Sequence, residues 1–295
     1  MDEKDWLLLR ILYEEKNITK AAQQLFMSQP AITYRLQQIE KDFNTQLVSR
    51  TKKGVEFTAQ GERLVQYSTE MLLQLRKLKE EIINMDGQVR GMLRLGVSGN
   101  FARYQFPPLL KQFLVLYPDV EINLLTGWST EIMQYIHREE IHIGIVRGDH
   151  HWLEGKHLLA EEPMCIVSKN EIDIDNLPAL PRINYKTDPS LKNTISAWWQ
   201  EKYDAPPLVT MEVDRIETCK EMVRTELGYA IFPLACLTES DQLHYSLLRT
   251  SNNEVIKRKT WVIYRKSSME LSIIRAFIEF ITSMNVSVLV PSSVK

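Results

Sequence analysis

Residues 17–44 read NITKAAQQLFMSQPAITYRLQQIEKDFN and decide the fold of the first part of the chain. The small residues Ala21 and Ala22 let the first half of this stretch lie close against a partner helix. Apolar side chains recur at helical spacing through both halves and supply a shared core, at Ile18, Leu25, Ile32, Leu36, Ile39 and Phe43. The pattern predicts two short amphipathic helices joined by a turn, the helix-turn-helix layout. An ordinary helical hairpin with a solvated face is the alternative.

The second predicted helix has clear boundaries and an outward polar face. Ser28 is a suitable N-cap, Pro30 fits the first turn, and Asn44 tolerates the left-handed conformation of a helix end. The side chains left to point outward are Thr33, Tyr34, Arg35 and either Gln37 or Gln38. At the helix entry, the amide of Gln29 suits the base edge of adenine in a DNA groove.

A short hairpin with a basic tip follows. Residues 47–50 and 55–57 read as strands, and the glycine-containing turn between them carries Lys52 and Lys53. From residue 16 to residue 63 there are eight basic and four acidic residues, whereas the whole chain has a net charge of −2. A lysine run at a turn is usually plain solvated surface. Beside a recognition helix, the concentrated positive charge favours contact with phosphates.

A long amphipathic helix is predicted next. Thr58 is a candidate N-cap, and apolar or small residues recur at spacings of four and three, at Leu64, Ser68, Met71, Leu75, Leu78 and Ile82. A helix from residue 58 to about residue 85 spans roughly 40 Å at ~1.5 Å per residue, too long to be covered by one small domain. We expect a linker helix that pairs with a second copy. A helix lying on its own domain is the alternative.

Composition indicates a soluble globular protein of more than one domain, with 295 residues, 44% hydrophobic and 25% charged. No signal-peptide pattern opens the sequence and no apolar run reaches the ~18 residues of a membrane span, so a cytoplasmic location without membrane contact is expected. Cys165, Cys219 and Cys236 lack paired spacing and read as reduced core residues rather than a thiol switch. The loop histidines carry no metal-ligand spacing.

Short apolar strands alternate with helices after residue 91, which predicts α/β subdomains with mostly parallel sheets. The predicted strands cover residues 92–97, 120–125, 141–146, 164–167, 209–213 and 229–232. Ligands in such folds lie beyond the carboxyl ends of the strands. Three turns at those ends hold candidate ligand-binding residues, at Ser98, Gly99 and Asn100, at Gly127, Trp128 and Ser129, and at Arg147 and Gly148.

These turns suit an anion. Helix starts and a bidentate guanidinium both favour negative charge, so the simplest ligand is a small carboxylate. The alternative is that Ser98 and Ser129 are only structural caps and that Arg147 is a solvated charge.

Several motifs of the first ninety residues together resemble the LysR-type transcriptional regulators. They are AAQQL (21–25), SQPAIT (28–33), LQQIE (36–40), LVSRT (47–51) and FTAQG (57–61). The resemblance implies binding to promoter DNA by an all-α winged helix-turn-helix, a long dimerisation helix, and assembly into homodimers or homotetramers. It places Gln29, Pro30, Thr33 and Tyr34 at the reading positions, with Arg50 and Lys53 on the wing. Arg35 on the outward helix face and Lys52 at the hairpin tip complete the predicted DNA-binding set. Tyr34, Asn44 and Val48 depart from common family residues.

The resemblance also implies an effector-binding region of two Rossmann-like subdomains, as in periplasmic binding proteins. The expected domains are 1–58 (DNA binding), 59–87 (linker helix) and 88–295 (effector binding). Subdomain I would comprise 91–162 and 267–295, and subdomain II 163–266, with crossovers near residues 161–163 and 265–268. Tyr185 and Thr218, and the segment of Phe232 and Pro233, would complete the pocket from the second subdomain. Residues 213–223 look like the branch that senses a carboxylate such as citrate. No cofactor is implied.

Two other classes of protein are weighed against this interpretation. The last two hundred residues alone resemble a solute-binding protein, but the missing signal peptide and the N-terminal reading head argue against that class. An enzyme fused to a DNA-binding domain is the other. The sequence shows no nucleophile beside a base, no phosphate-binding glycine loop and no metal-ligand cluster, so no catalytic residue is assigned.

Overall fold

The computed structural model describes residues 1–51 and 54–284, apart from the side chains of Arg50 and Glu239. The chain divides into two compact units, Met1–Met85 and Asp86–Lys295. None of the described helices is long and apolar enough to cross a membrane.

The first unit is a helical bundle with a two-stranded hairpin. Its elements in chain order are α1 (Glu3–Glu15), α2 (Ile18–Gln24), α3 (Gln29–Asp42), β1 (Val48–Thr51), β2 (Gly54–Phe57) and α4 (Ala59–Asn84). Helix α1 was not predicted from the sequence. Asp2 and Asp5 form a capping box at its start, and Leu8, Leu9 and Leu12 are buried in the core of the unit.

The predicted helix-turn-helix is confirmed as α2 and α3. The Ser28 hydroxyl accepts a hydrogen bond from the backbone N–H of Ala31, and Pro30 lies in the first turn of α3. Asn44 takes the left-handed conformation, with φ of 48°. The predicted core positions are buried except two, because Leu25 is only partly covered and Phe43, the C-cap residue at the end of α3, is 49% exposed.

The predicted wing is an antiparallel hairpin of β1 and β2. Gly54, at the start of β2, has φ of +126°, and a Cβ there would meet the carbonyl oxygen of Lys16 at 2.3 Å. Only glycine fits this position, since L-residues rarely adopt that conformation and the backbone approach leaves no room. The turn residues Lys52 and Lys53 lie outside the described residues.

Helix α4 is 26 residues long, and Thr58 caps it as predicted. Its first part is covered by the unit, with Leu64, Val65 and Ser68 buried. Farther along, Leu78, Ile82 and Ile83 are 51%, 58% and 42% exposed. The helix therefore has an apolar face that its own unit covers only in part.

The second unit is an α/β domain. Its strands are β3 (Gly91–Ser98), β4 (Val120–Gly127), β5 (Ile143–Arg147), β6 (Gly155–Ser168), β7 (Arg182–Tyr185), β8 (Val209–Val213), β9 (Ala230–Pro233), β10 (His244–Leu247) and β11 (Lys257–Tyr264). Its α-helices are α5 (Gly99–Tyr104), α6 (Phe106–Leu116), α7 (Ser129–His137), α8 (Pro189–Lys202), α9 (Ile216–Arg224) and α10 (Ser272–Ser283).

The sheets are mixed, not mostly parallel as predicted. Strand β3 pairs in parallel with β4 and β5, and β7 pairs in parallel with β8. Strand β6 is antiparallel to all its partners, and β11 is antiparallel to β5 and β6. The periodicity had not revealed β10, β11 or the first half of β6, and each of these pairs antiparallel.

One strand belongs to both lobes of this unit. Residues 155–163 of β6 pair with β11 in the first lobe, and residues 164–168 pair with β9 and β10 in the second. The chain passes between lobes at residues 163–164, where the first crossover was expected. Each lobe has its own core, around Phe113 and Phe277 in the first and around Phe232 and Trp198 in the second.

The second crossover was placed too late in the chain. Strand β11 pairs with β5 and with the first half of β6, so it belongs to the first lobe. The chain therefore returns between β10 and β11, before residue 257 and not at residues 265–268. Without recognising β11 as a strand, the sequence pattern could not separate these two positions. The predicted segment 285–295 of this lobe lies outside the described residues.

Replacement of Thr58 by Ala should destabilise the first unit by about 1–2 kcal/mol. The Thr58 hydroxyl accepts from the N–H of Gly61 at 3.0 Å and donates to the carbonyl of Gln46 at 2.8 Å. Urea unfolding followed by circular dichroism measures the loss. Thr58→Ser keeps the hydroxyl and serves as the control, and equal losses for both variants would show that the cap contributes nothing.

Candidate functional site

The reading face of α3 presents polar side chains of different accessibility. Tyr34 is 65% exposed, Gln29 and Pro30 are also exposed, and Thr33 is half-buried. The Gln29 side-chain amide donates a hydrogen bond to the Thr19 hydroxyl on α2 at 3.0 Å. This bond holds the amide at the start of α3 and leaves its oxygen free to accept from a base edge.

Arg35 does not face outward as predicted. Its guanidinium forms ion pairs with Asp2 and Asp5 at the start of α1. Hydrogen bonding to Asp5 and then to Asp2 raises the pKa of Arg35. The structure thus makes Arg35 a tie between α3 and α1, since its donors are used inside the unit. The side chain of Arg50, and Lys52 and Lys53 entirely, lie outside the described residues.

The second unit contains a cavity of about 590 Å³ between its two lobes. From the first lobe it is lined by Ser98, Gly99, Asn100, Ala102, Arg103, Leu124, Thr126, Gly127, Trp128, Ser129, Arg147 and Arg258. The second lobe contributes Tyr185, Lys186, Thr187, Asp188, Asp214, Arg215, Ile216 and Glu217. The three turns selected from the sequence therefore converge, as expected for strand ends of one sheet.

The second lobe matches the sequence prediction only in part. Tyr185 lines the cavity, but Thr218 does not, and neither do Phe232 and Pro233. Helix α9 directs its first residues, Ile216 and Glu217, at the cavity instead. Phe232 is fully buried in the core of the second lobe, which leaves it no surface for a ligand.

Ser98 carries a buried hydroxyl that no described group of the fold uses. Its side-chain oxygen is buried and has no hydrogen-bond partner among the described residues, and it does not cap α5. A buried hydroxyl without a partner costs free energy, and a ligand in the cavity can supply the missing acceptor. Helix α5 has only six residues, so the hydroxyl matters here more than the helix dipole.

Ser129, in contrast, is used by the protein itself. Its hydroxyl accepts from the backbone N–H of Arg147 at 3.0 Å and lies 3.2 Å from the carbonyl of the same residue. This contact fastens the start of α7 to the end of β5. The structural role that the sequence left open for Ser129 is therefore present, and its side chain has little capacity left for a ligand.

Arg147 lines the cavity but is not a solvated charge. Its side chain is only 4% exposed, and its guanidinium forms an ion pair with the buried Glu162 on β6. The predicted bidentate contact with a ligand would compete with this pair. Behind it lies Cys236, whose pKa is raised by burial to about 11, so the thiol stays protonated at neutral pH.

Sequence reasoning missed a second buried ion pair at the cavity, between Arg258 and Asp188. Asp188 caps α8 by accepting a hydrogen bond from the N–H of Leu191 at 2.9 Å, and Arg258 is the second residue of the unpredicted strand β11. Burial and then the nearby Arg147 lower the pKa of Arg258. The Asp-Pro-Ser signal of a helix start at residues 188–190 could have revealed Asp188.

Tyr185 adds a second donor. Burial raises the pKa of its phenol, so it remains protonated, and its hydroxyl has no hydrogen-bond partner among the described side chains and backbone groups. Two buried hydroxyls, Ser98 and Tyr185, thus line a cavity whose arginines are already paired.

Comparison with known proteins accounts for both units. Residues 4–62 match the model of the bacterial regulatory helix-turn-helix protein, lysR family, and residues 86–285 match the LysR substrate binding domain. The chain is 47% identical over 281 residues to the uncharacterized HTH-type transcriptional regulator YraN of Bacillus subtilis (strain 168), covering 95% of this chain and 97% of that protein. It is 34% identical to YkuM of the same strain, over 94% and 95% of the two chains.

A solved structure shows the same fold. Full-length CbnR complexed with its target DNA superposes with a TM-score of 0.70 at 19% identity, covering 96% of this chain and 99% of that one. The chain belongs to the LysR family of transcriptional regulators, which are DNA-binding proteins with an effector-binding domain and not enzymes. The comparisons give no support to a citrate-sensing branch.

Replacement of Glu162 by Ala should destabilise the second unit by about 3–5 kcal/mol, because it leaves the charge of Arg147 buried without its partner. The neighbouring Glu161 pairs with Lys257 at the surface, and Glu161→Ala should cost at most about 1 kcal/mol. Thermal and urea unfolding of the two variants measure the difference. Equal losses of stability in the two variants would mean that the buried ion pair contributes no more to stability than the surface pair.

Proposed function

We propose that this protein represses or activates transcription by reading promoter DNA with α3 and the wing, under control of a small carboxylate bound between the lobes of the second unit. The observation that carries the proposal is the cavity lined by donors. The hydroxyls of Ser98 and Tyr185 are buried there without a partner among the described residues, and Lys186 supplies a positive charge that no described acid pairs. Such a lining favours an oxyanion.

The DNA target is promoter DNA, and Gln29, Pro30, Thr33 and Tyr34 are the proposed reading residues. Support comes from their position on α3 of a helix-turn-helix and from the CbnR fold, which has been solved with its target DNA. Arg50, Lys52 and Lys53 remain the proposed phosphate contacts on the wing. Arg35 is not proposed as a reading residue, because its guanidinium forms ion pairs with Asp2 and Asp5. Action on promoter DNA fits the cytoplasmic location predicted from the sequence.

We further propose that the active species is a homodimer, or a homotetramer built from two dimers. The apolar face of α4 supports this assembly, because Leu78, Ile82 and Ile83 remain exposed within one chain. Two reading heads then contact two half-sites. The ligand shifts the population of lobe arrangements only if it binds one of them more tightly.

Gel-shift and fluorescence-anisotropy titrations with the chain's own promoter region test the proposal, with and without small carboxylates. We expect DNA binding that one carboxylate modulates. DNA binding that no carboxylate changes would contradict the proposed carboxylate effector. Binding of carboxylates without binding of DNA would favour the solute-binding alternative.

Gln29→Ala should reduce discrimination between the operator and altered sites by about 1–3 kcal/mol, since the amide reads a base edge. Competition titrations with single-base operator variants measure the change. Gln112→Ala, an exposed amide on α6 of the second unit, is the matched control. Unchanged discrimination in Gln29→Ala would show that α3 does not read bases through this residue.

Ser98→Ala should weaken carboxylate binding about tenfold, because the ligand loses one buried hydrogen bond. Its melting temperature without ligand should not fall, since the lost hydroxyl has no partner in the described fold. Ser129→Ala should show the opposite pattern, with lower thermal stability, because its hydroxyl joins α7 to β5. Calorimetric titration and thermal unfolding separate the two. Full ligand affinity in Ser98→Ala would exclude this hydroxyl from the site.

A further inference from the structure

The charges on the cavity wall are almost completely paired. Five basic side chains line it, namely Arg103, Arg147, Lys186, Arg215 and Arg258. Four of them form ion pairs: Arg103 with Glu217, Arg147 with Glu162, Arg215 with Asp214, and Arg258 with Asp188. The pairs of Arg147 and Arg258 are buried, whereas those of Arg103 and Arg215 are exposed but still place an acid beside each guanidinium. The wall therefore offers less positive charge to a ligand than its number of arginines suggests.

Lys186 is the basic side chain of the described wall that takes part in none of these ion pairs. It follows β7 on the second lobe, where its backbone N–H donates to the carbonyl of Val213 at 2.9 Å. Its side chain makes no ion pair with any side chain that the structure describes. The charges of the four arginines and of their four acids cancel, so Lys186 leaves the wall with a net charge of about one positive unit.

The first lobe adds an apolar strip to the same wall. Leu124 on the edge strand β4 is 39% exposed, and Trp128 and Ala102 beside the cavity are only partly covered. Apolar surface that a monomer leaves open inside a cavity is typical of a ligand contact. The strip can cover a hydrocarbon or aromatic body, while Ser98 and Tyr185 donate to oxygen atoms.

We infer that the ligand of this cleft is a monocarboxylate with an apolar body, rather than a di- or tricarboxylate. One carboxylate is balanced by Lys186 and accepts hydrogen bonds from the unpartnered hydroxyls. A second carboxylate would lie among Asp188, Asp214 and Glu217 with no further unpaired cation on the described wall. Desolvating that extra charge without a partner is costly. The inference rests on the proposed carboxylate site and contradicts the citrate expected from the sequence.

Matched ligand series on the full-length protein test this inference. Benzoate, isophthalate and trimesate carry one, two and three carboxylates on one ring, hexanoate and adipate give an aliphatic pair, and benzamide is the uncharged control. Calorimetric titration should give benzoate or hexanoate at least tenfold tighter binding than its dicarboxylate and than benzamide.

The outcomes separate the number of carboxylates on the ligand from the presence of a carboxylate site. If isophthalate, trimesate or adipate bound most tightly, the inference of a monocarboxylate ligand would be wrong, but the proposed carboxylate site would stand. Binding of benzamide alone, or of none of the six compounds, would overturn the proposed carboxylate effector and this inference with it.

A charge variant supplies an independent check. Lys186→Gln removes the unpaired cation and should reduce the preference for benzoate over benzamide at least fivefold. Lys192→Gln removes the same charge from the exposed surface of α8, away from the cavity wall, and should leave the preference unchanged. An equal reduction in both variants, or none in either, would show that Lys186 does not balance the ligand.

Discussion

The buried ion pair between Arg147 and Glu162 is the interaction on which the effector-binding unit depends. Glu162 lies one residue before the point where β6 leaves the first lobe, and Arg147 ends β5 at the cavity. Two charges that are only 4% and 1% exposed must remain together, because either one alone would be buried unpaired. The pair therefore fixes the end of the first-lobe sheet, the cavity wall and the crossover in one arrangement, and Ser129 holds the same backbone from the other side.

The first unit could be predicted from sequence almost completely, since its decisive signals are local. The helix caps of Ser28 and Thr58 and the left-handed Asn44 involve residues within a few positions, and helical spacing identifies the buried face. Helix α1 was not predicted. The ion pairs of Arg35 with Asp2 and Asp5 were not predicted either, because they join residues thirty or more positions apart. Local patterns show which side chains point outward from a helix, but they do not show which distant residues those side chains contact.

The cavity was predictable in outline but not in its chemistry. Strand ends located Ser98, Ser129 and Arg147 correctly at one wall, because parallel strands bring their carboxyl ends together. Whether each polar group is free was decided by partners that are distant in the chain, such as Glu162 for Arg147 and Asp188 for Arg258. Thr218 was a wrong choice because residues in the first turn of a helix point in different directions, and in α9 it is Ile216 and Glu217 that line the cavity. A count of cations therefore overstated the charge available to a ligand.

The continuity of β6 limits how the two lobes can move. In the first lobe the strand is hydrogen-bonded to β11, and in the second it lies between β9 and β10, so sliding of one lobe along the other would break a whole ladder. Bending and twisting are the remaining degrees of freedom. Pro163 stands where the strand changes lobes and lacks the N–H that would stiffen the ladder there. A rotation of the lobes about Pro163 would leave both ladders intact, and it would displace most the residues that lie farthest from this crossover.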